Sequence, residues 1–182
     1  MGNVVGASGL QIDNNMLIIR TSKETLSGVI KHSKHALNSC PKGRPKDQGF
    51  GEGDIVLIAT RLADLAPGEI PICHAMVVRS VYKDEGGRES NEIWGCSWKY
   101  IIDGYECLRL RNPFDINDVR ATQEADGGYK AGGTYVYVLD EDKKVILDGG
   151  YLAVADDEAM SSDSYRERSR DKQLTDWCRN NP

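Results

Sequence analysis

The chain has 182 residues, of which 40% are hydrophobic and 28% are charged. These fractions are typical of a globular protein, and the length suits one domain with a proper core rather than a disordered chain. The 23 Lys and Arg residues against 28 Asp and Glu residues give a net charge of −5. This charge excludes a protein that coats long duplex DNA with a general positive field, but it allows one local basic face.

Neither the apolar segments nor the cysteines indicate a membrane or secreted protein. The longest apolar stretch near the N-terminus, at residues 16–19, is far too short for a membrane span or the apolar region of a signal peptide. The five cysteines form no Cys-x-x-Cys pair, and their number is odd, so buried reduced thiols are expected. We therefore expect a cytoplasmic protein that does not associate with a membrane.

In chain order, the N-terminal part predicts a short strand, a helix and a loop. A β-like run ends at Arg20, and Thr21 followed by Glu24 forms a capping-box pattern that predicts the start of a helix. Apolar residues at helical spacing extend this helix over residues 22–38. Residues 40–54 are rich in Gly and Pro and predict a loop, which is the most basic stretch of the N-terminal half.

Most later elements are predicted to be strands. Lys83–Asn91 contains paired glycines and predicts a hairpin loop, 117–125 predicts a short polar helix or turn, and 127–133 predicts a mobile loop. Strands are predicted at residues 55–58, 72–82, 93–102, 105–111, 134–139 and 145–147. Many short strands with one early helix predict an α+β fold, a small mixed β barrel with peripheral helices. We expect this domain to cover residues 1–155 and the polar residues 156–182 to form a C-terminal helix or tail.

The common catalytic and nucleotide-binding motifs are not found in the sequence. It contains no GxxxxGK[ST] phosphate loop, no GxSxG elbow and no HExxH motif. His74 could serve as a base for Cys96 or Cys107, but buried core thiols are the favoured interpretation of these cysteines. The sequence therefore predicts no catalytic residues and no cofactor.

A metal site is weakly suggested and not predicted. His32 and His35 lie three residues apart on the predicted helix, with Cys40 just beyond it. No second close pair of ligands follows, because the neighbouring Cys73 and His74 would point to opposite faces of a strand. We expect solvated histidines and a small thiol, and no bound metal.

Aromatic residues cluster in one segment of the chain. Trp94, Trp98 and Tyr100 share the same parity, so on the predicted strand they would line one face, with Lys99 among them. Such a face could fill the core, or it could form a slot in which a flat base stacks. Basic residues that could accompany a base-binding slot are Lys42, Arg44, Lys46, Arg109, Arg111 and Arg120.

Three segments of the sequence together resemble a known superfamily. These segments are GEGDIVLIATRL, PICHAMVVRSVY and YECLRLRNPFDI, and they resemble the PUA-like superfamily, specifically its EVE type, which is related to YTH and ASCH domains. The resemblance covers residues 15–150 and implies an early helix, a loop into a Gly–Asp turn and a buried strand. EVE and YTH domains hold a modified base in an aromatic pocket, several bacterial EVE domains serve modification-dependent restriction, and ASCH domains are linked to RNA. The chain differs from many EVE sequences in having no Trp-rich loop at residues 40–50.

The resemblance implies a non-catalytic nucleic-acid-binding module that holds a base, modified or not, in an aromatic pocket. Its partners would be DNA or RNA, with a separate nuclease subunit or domain in a restriction system. The implied base-binding residues are Phe50, Trp94, Ser97, Trp98 and Tyr100, and the implied phosphate-binding residues are Lys42, Arg44, Lys46 and Lys99. Two alternatives stay open. One is an RNA- or nucleotide-processing enzyme on the same barrel with His74 or Asp54 as its base. The other is a protein-interaction domain in which the aromatic segment is core.

Overall fold

The structure, a computed structural model, describes residues 14–42, 49–60, 69–120, 129 and 135–155. Two 3₁₀ turns, Glu85–Gly87 and Ile116–Val119, accompany the longer elements. In chain order these elements are β1 (Met16–Thr21), α1 (Lys23–His32), β2 (Lys34–Leu37), β3 (Ile55–Thr60), β4 (Pro71–Lys83), α2 (Arg88–Trp94), β5 (Tyr100–Gly104), β6 (Leu108–Asp115), β7 (Tyr135–Tyr137) and α3 (Asp140–Asp148).

Within these residues, one seven-stranded mixed sheet runs in the order β2-β5-β4-β3-β1-β7, and β6 also pairs with β4. β1 and β3 are parallel, whereas the other pairs are antiparallel. The 13-residue β4 connects the two halves, because its first part pairs with β3 and β6 and its last part pairs with β5. The sheet curls into a half barrel with peripheral helices, and this confirms the predicted fold class.

Two hydrophobic clusters lie on the two sides of β1 and β3. On β1, Met16 and Ile18 belong to one cluster, while Leu17 and Ile19 belong to the other. The same alternation continues on β3, where all six residues are buried. A strand buried on both faces needs a continuous apolar run, and this is why the runs at residues 16–19 and 55–58 identified these strands from the sequence.

Helix α1 begins where the sequence predicts, but it is shorter than predicted. The N-cap is Ser22 rather than Thr21, and its Oγ accepts a hydrogen bond of 3.3 Å from the backbone N–H of Thr25. The helix ends at Ser33, whose φ of 52° is left-handed. The prediction of helix over residues 34–38 is therefore wrong. Residues Lys34–Leu37 form β2 because they pair with β5, a partner that local helical spacing cannot reveal.

The predicted hairpin loop at 83–91 and the first part of the strand predicted at 93–102 are also wrong, because α2 occupies this region. The carboxylate of Asp84 accepts hydrogen bonds from the backbone N–H groups of Glu89 and Ser90. These N–H groups lie in the first turn of the helix and have no acceptor within it. Gly95, with a φ of 70°, ends the helix in the left-handed conformation that favours glycine. Two glycines predict a turn, but they equally permit the turn that leads into this helix.

Two further boundaries differ from the prediction. The predicted strand 105–111 begins at Leu108 and passes through Pro113 to Asp115. β6 tolerates this proline because the register of β4 shifts opposite it, between Ile72 and His74. The strand predicted at 145–147 is wrong because those residues lie in α3, whose acidic first turn suits a helix N-terminus.

Several other predictions fall at or beyond the limits of the described ranges. Residues 116–119 form a 3₁₀ turn at the start of the predicted 117–125 element, and β7 lies within the predicted strand 134–139. The predicted tail at 156–182 and most of the predicted loop at 127–133 lie outside the described residues. Among the helices that the structure describes, none has the length and apolar character needed to cross a membrane.

Candidate nucleic-acid interface

The start of the basic loop and the aromatic segment meet at the Tyr100 end of β5. Leu37, the last residue of β2, pairs with Tyr100, and its carbonyl accepts a 3.2 Å hydrogen bond from the N–H of Lys99. The chain then leaves β2 toward Lys42, which is exposed, as is Lys99. Two segments far apart in the sequence are therefore adjacent in the fold. The other two predicted phosphate ligands of the loop, Arg44 and Lys46, lie outside the described residues.

A buried polar network holds the backbone of Trp98 in place. Ser90 is fully buried, and its Oγ donates a 2.6 Å hydrogen bond to the carboxylate of Asp84. The same Oγ accepts a 2.8 Å hydrogen bond from the N–H of Trp98. The side chain that caps α2 therefore also fixes, through Ser90, the segment that follows the helix. Trp98 and Tyr100 are both partly exposed.

Ser97 is exposed and lies against the turn before α2. A Cβ atom added to Gly87 would be 2.5 Å from the Cβ of Ser97, which is far closer than atoms can pack. Gly87 also has a φ of 63°. This close approach requires glycine at position 87 and places Ser97 beside the first turn of α2.

Trp94 has a different environment from Trp98. It is the last residue of α2, and its indole Nε1–H donates a 3.0 Å hydrogen bond to the carbonyl of Thr25 in α1. A Cβ atom on Gly28 would be 2.4 Å from that nitrogen, so the two helices touch at this point. The expectation that Trp94, Trp98 and Tyr100 line one face of a strand is wrong, because they lie on a helix, in a loop and on a strand, respectively.

Phe50 lies near the other end of β5. It is 8% exposed and packs in the cluster that includes Met76 and Val78. The turn that follows it is joined to β4 by a 2.9 Å hydrogen bond from the N–H of Gly53 to the carbonyl of Val78, and Val78 pairs with Gly104, the last residue of β5. Ser97, Trp98, Lys99 and Tyr100 therefore follow one another at one end of β5, whereas Phe50 packs in the core and the turn after it is joined to the other end.

A second polar network supports α2 and was not predicted from the sequence. Lys34 forms an ion pair with Glu89 and donates a 3.1 Å hydrogen bond to the hydroxyl of Tyr82, while that hydroxyl donates a 2.7 Å hydrogen bond to Glu89. Burial would lower the pKa of Lys34, but its hydrogen bonds to Glu89 and Tyr82 raise the pKa above the usual value. The three residues come from β2, β4 and α2, so no local pattern could have joined them.

The groups considered for an enzyme, two bases and a thiol, are buried or bonded within the protein. His74 is 1% exposed between β3 and β6, and burial, with Arg109 nearby, lowers its pKa to about 3. Burial raises the pKa of the Cys107 thiol to about 12, which keeps it protonated and a poor nucleophile. The carboxylate of Asp54 accepts hydrogen bonds from the N–H groups of Asn15 and Gly51, which orders the turn before β3. An enzyme that uses these groups gains no support from their geometry.

The two histidines considered as metal ligands are not on one helix face. His32 is exposed at the end of α1, whereas His35 lies on β2 and is 6% exposed. The Nε2 of His35 lies 3.0 Å from the hydroxyl of Thr21, and its Nδ1 lies 3.0 Å from the carbonyl of Ala36. Both ring nitrogens therefore have protein partners. Among the described side chains, no three His, Cys, Asp or Glu residues are placed to share a metal ion.

Comparison with known proteins gives similarity in structure only. No family model matches the chain, and no curated protein matches it in sequence. The N-terminal domain of Thermococcus gammatolerans McrB, solved bound to m5C DNA, is similar with a TM-score of 0.53 and 11% identity over 74% of this chain and 96% of that chain. ASCH from Zymomonas mobilis is similar with a TM-score of 0.49 and 8% identity over 76% of this chain and 96% of that chain. The YTH domain of Zygosaccharomyces rouxii MRB1, solved in complex with N6-methyladenosine RNA, is similar with a TM-score of 0.48 and 11% identity over 87% of this chain and 99% of that chain.

The similarity to the McrB domain defines the fold. The curled mixed sheet with peripheral helices is a PUA-like barrel, so the resemblance seen in the sequence is confirmed at the level of the fold. At 11% identity the similarity extends to the architecture and not to individual site residues.

Proposed function

We propose that this chain is a non-catalytic nucleic-acid-binding module that holds a base at the Tyr100 end of β5. The observation that supports it most is the PUA-like fold shared with a domain solved bound to m5C DNA. That neighbour supports DNA with a modified base as the proposed ligand, and RNA is part of the proposal through the resemblance seen in the sequence. In this proposal the module comprises residues 1–155, and the polar residues 156–182 are a C-terminal helix or tail.

The proposed site divides the predicted residues by the contacts of their side chains. Trp98 and Tyr100 are partly exposed aromatic residues, and in this proposal a base stacks on their rings. Ser97 is exposed, and in this proposal its hydroxyl bonds to a base edge. Trp94 and Phe50 pack against or within the same hydrophobic cluster, so in this proposal they support the site from the core side. The rigid Asp84–Ser90 network keeps Trp98 in position before the ligand arrives, which lowers the cost of binding.

Phosphate contacts must add to stacking. Stacking contributes about 1–3 kcal/mol per base, while extruding a base from a duplex costs a few kcal/mol. Lys42 and Lys99 are exposed, and Lys99 stands between Trp98 and Tyr100 in the chain. Lys42 follows Leu37, whose carbonyl bonds to the N–H of Lys99, and Arg44 and Lys46 follow Lys42 in the sequence. These four residues form the proposed phosphate-binding rim, and the acidic remainder of the protein would limit non-specific sliding.

In this proposal the module only binds nucleic acid, so a separate partner acts on the bound molecule. In this proposal the chain is the recognition part of a modification-dependent restriction system in the cytoplasm, and a separate nuclease subunit or domain cleaves the nucleic acid. The structural roles of His74 and Asp54 agree with a division between recognition and cleavage.

The two tryptophans provide the test, because their environments differ. We expect Trp98→Ala to keep the melting temperature nearly unchanged and to weaken oligonucleotide binding about ten-fold or more, since a stacking surface is lost. We expect Trp94→Ala to lower the free energy of unfolding by about 3 kcal/mol, since it removes the contact between α1 and α2. Thermal melting and fluorescence titration with unmodified and 5-methylcytosine-containing oligonucleotides measure both effects.

Two outcomes would contradict the proposal. One is that the parent protein binds none of these DNA or RNA oligonucleotides at low salt. The other is that Trp98→Ala unfolds the protein while its folded fraction binds as tightly as the parent, which would identify Trp98 as core.

A further inference from the structure

The geometry points to Tyr105 and Arg79 as a second nucleotide-binding position, in which a base stacks on the Tyr105 ring and a neighbouring phosphate contacts Arg79. This inference rests on the proposed function, and it extends the binding surface from the Tyr100 end of β5 to the other end. Neither residue is among those predicted to form the site.

Tyr105 is exposed yet held at both of its ends. Its side chain is 57% exposed, the highest value for a large hydrophobic residue within the described ranges. Its backbone N–H donates a 3.1 Å hydrogen bond to the carbonyl of Val77, and its hydroxyl donates a 3.0 Å hydrogen bond to Glu52. A fixed ring with open surface loses little side-chain entropy when a flat ligand stacks on it.

Arg79 is presented beside this ring by an irregularity of the sheet. The register between β4 and β5 shifts between Val78 and Ser80, which makes Arg79 the bulged residue. Its Nε and Nη2 donate hydrogen bonds of 2.8 and 2.6 Å to one oxygen of Asp103, and its guanidinium carbon lies 5.9 Å from the centre of the Tyr105 ring. The side chain is 53% exposed, so Nη1 has N–H donors available for a phosphate.

The connection to the first site follows from the topology. β5 runs from Tyr100 to Gly104, so Tyr105 is about 16 Å along an extended strand from Tyr100. The loop between β2 and β3 begins at the Tyr100 end, beside Lys99, and returns at Glu52, which holds the Tyr105 hydroxyl. The two positions are thus next to the two described ends of this segment, and a single strand of several nucleotides is long enough to reach both.

The charges near Tyr105 favour a base on the ring over a phosphate. Arg79 has Asp103 as its ion-pair partner through Nε and Nη2 and keeps Nη1 for a phosphate, whereas the Tyr105 ring is next to the carboxylates of Glu52 and Glu106 in space or sequence. These carboxylates would repel a phosphate placed on the ring, but they would not repel the neutral face of a base. The alternative is that Tyr105 and Arg79 only tie the turn at Glu52 to the sheet, which would make the pair a structural brace.

Tyr105→Ala and Tyr105→Phe separate these two roles. Ala removes the ring, whereas Phe removes only the hydroxyl that bonds to Glu52. We expect Tyr105→Ala to weaken binding of a single-stranded 12-mer about ten-fold and Tyr105→Phe to bind within two-fold of the parent. Arg79→Gln should weaken binding and lower the salt dependence by about one phosphate contact. Leu139→Ala, which alters an exposed apolar residue just before α3, is the matched control and should bind like the parent.

Three results are distinguishable. If the parent binds the 12-mer and Tyr105→Ala binds it equally well, the second position is overturned while the proposed function stands. If Tyr105→Phe loses as much affinity as Tyr105→Ala, the hydroxyl and not the ring matters, and the brace is supported instead. If the parent binds no oligonucleotide, the proposed function fails together with this inference.

Discussion

His35 and His74 are buried imidazoles whose pKa values lie far below the usual value of 6.5. Burial lowers the pKa of His35 to about 4 and that of His74 to about 3. In the folded protein both rings therefore stay neutral at a pH where the same residues of the unfolded chain are protonated. Because the unfolded state binds more protons in this range, acid favours unfolding.

We expect stability to fall as the pH is lowered from about 6.5 to about 4, by up to about 1.4 kcal/mol per pH unit for each of the two imidazoles. Urea unfolding at a series of pH values between 7.5 and 4.5 measures this slope. His35→Gln should remove part of it, whereas His32→Gln, at an exposed position of α1, should keep the parent slope. A free energy of unfolding that stays constant from pH 6.5 to 4.5 would show that these rings are not held neutral.

At the same scale, single contacts decide which aromatic residues belong to the core. Trp94 and Trp98 are four positions apart and of the same type, yet one indole bonds to Thr25 and the other follows a glycine-terminated helix into a loop. The sequence could identify both as a cluster of aromatic residues. It could not assign them separately, because the difference lies in a contact with α1 at a distance of 69 positions along the chain.

At the scale of elements, α2 is the clearest example of a helix with a second role. The carboxylate of Asp84 accepts hydrogen bonds from the first turn of α2 and from the Ser90 hydroxyl, and Ser90 in turn binds the N–H of Trp98. The stability of the helix and the position of the proposed stacking residue therefore depend on the same side chains. The helix has seven residues, too few to be stable in isolation, and it depends on these contacts and on the ion pair with Lys34.

Ser90→Ala tests this coupling. It removes the hydroxyl that joins Asp84 to Trp98, and leaving a buried donor unpaired costs about 1–3 kcal/mol. We expect a lower free energy of unfolding together with weaker oligonucleotide binding in the folded protein, because Trp98 loses its anchor. Ser27→Ala, at an exposed position of α1, should change neither quantity. If a folded Ser90→Ala variant binds oligonucleotides as tightly as the parent, the hydrogen bonds of Asp84 and Ser90 do not contribute to the binding site.

At the scale of the whole molecule, the proposed binding surface must be a local exception to a negative protein. The net charge is −5, while the loop at residues 40–54 contains Lys42, Arg44 and Lys46. An acidic protein that binds nucleic acid through one rim should release counterions only from that rim, so its salt dependence reports the number of basic residues in contact.

We expect changing Lys42, Arg44 and Lys46 together to Glu to abolish oligonucleotide binding without unfolding the protein, since loop positions contribute little packing. Affinity measured across a series of salt concentrations, with circular dichroism to verify folding, gives the answer. The matched control changes three exposed lysines on α1 and α3, Lys23, Lys31 and Lys144, to Glu and alters the net charge equally. An equal loss of affinity in both variants would show that overall charge causes the effect. Undiminished binding by the loop variant would show that the loop is not part of the interface.

The sequence by itself determined the elements whose signals are local. β1, β3 and most of β4 are apolar or β-branched runs, and α1 begins at a capping pattern. These elements were enough to predict a small mixed barrel, and the resemblance of three segments implied its PUA-like type. Only the tertiary structure decided β2, α2 and α3, and with them the separation of Phe50 and Trp94 from Trp98 and Tyr100. The physical reason is that strand pairing, the ion pair between Lys34 and Glu89, and the contact between Trp94 and Thr25 all join residues far apart in the chain. Their energies override the weak local preferences that a sequence can reveal.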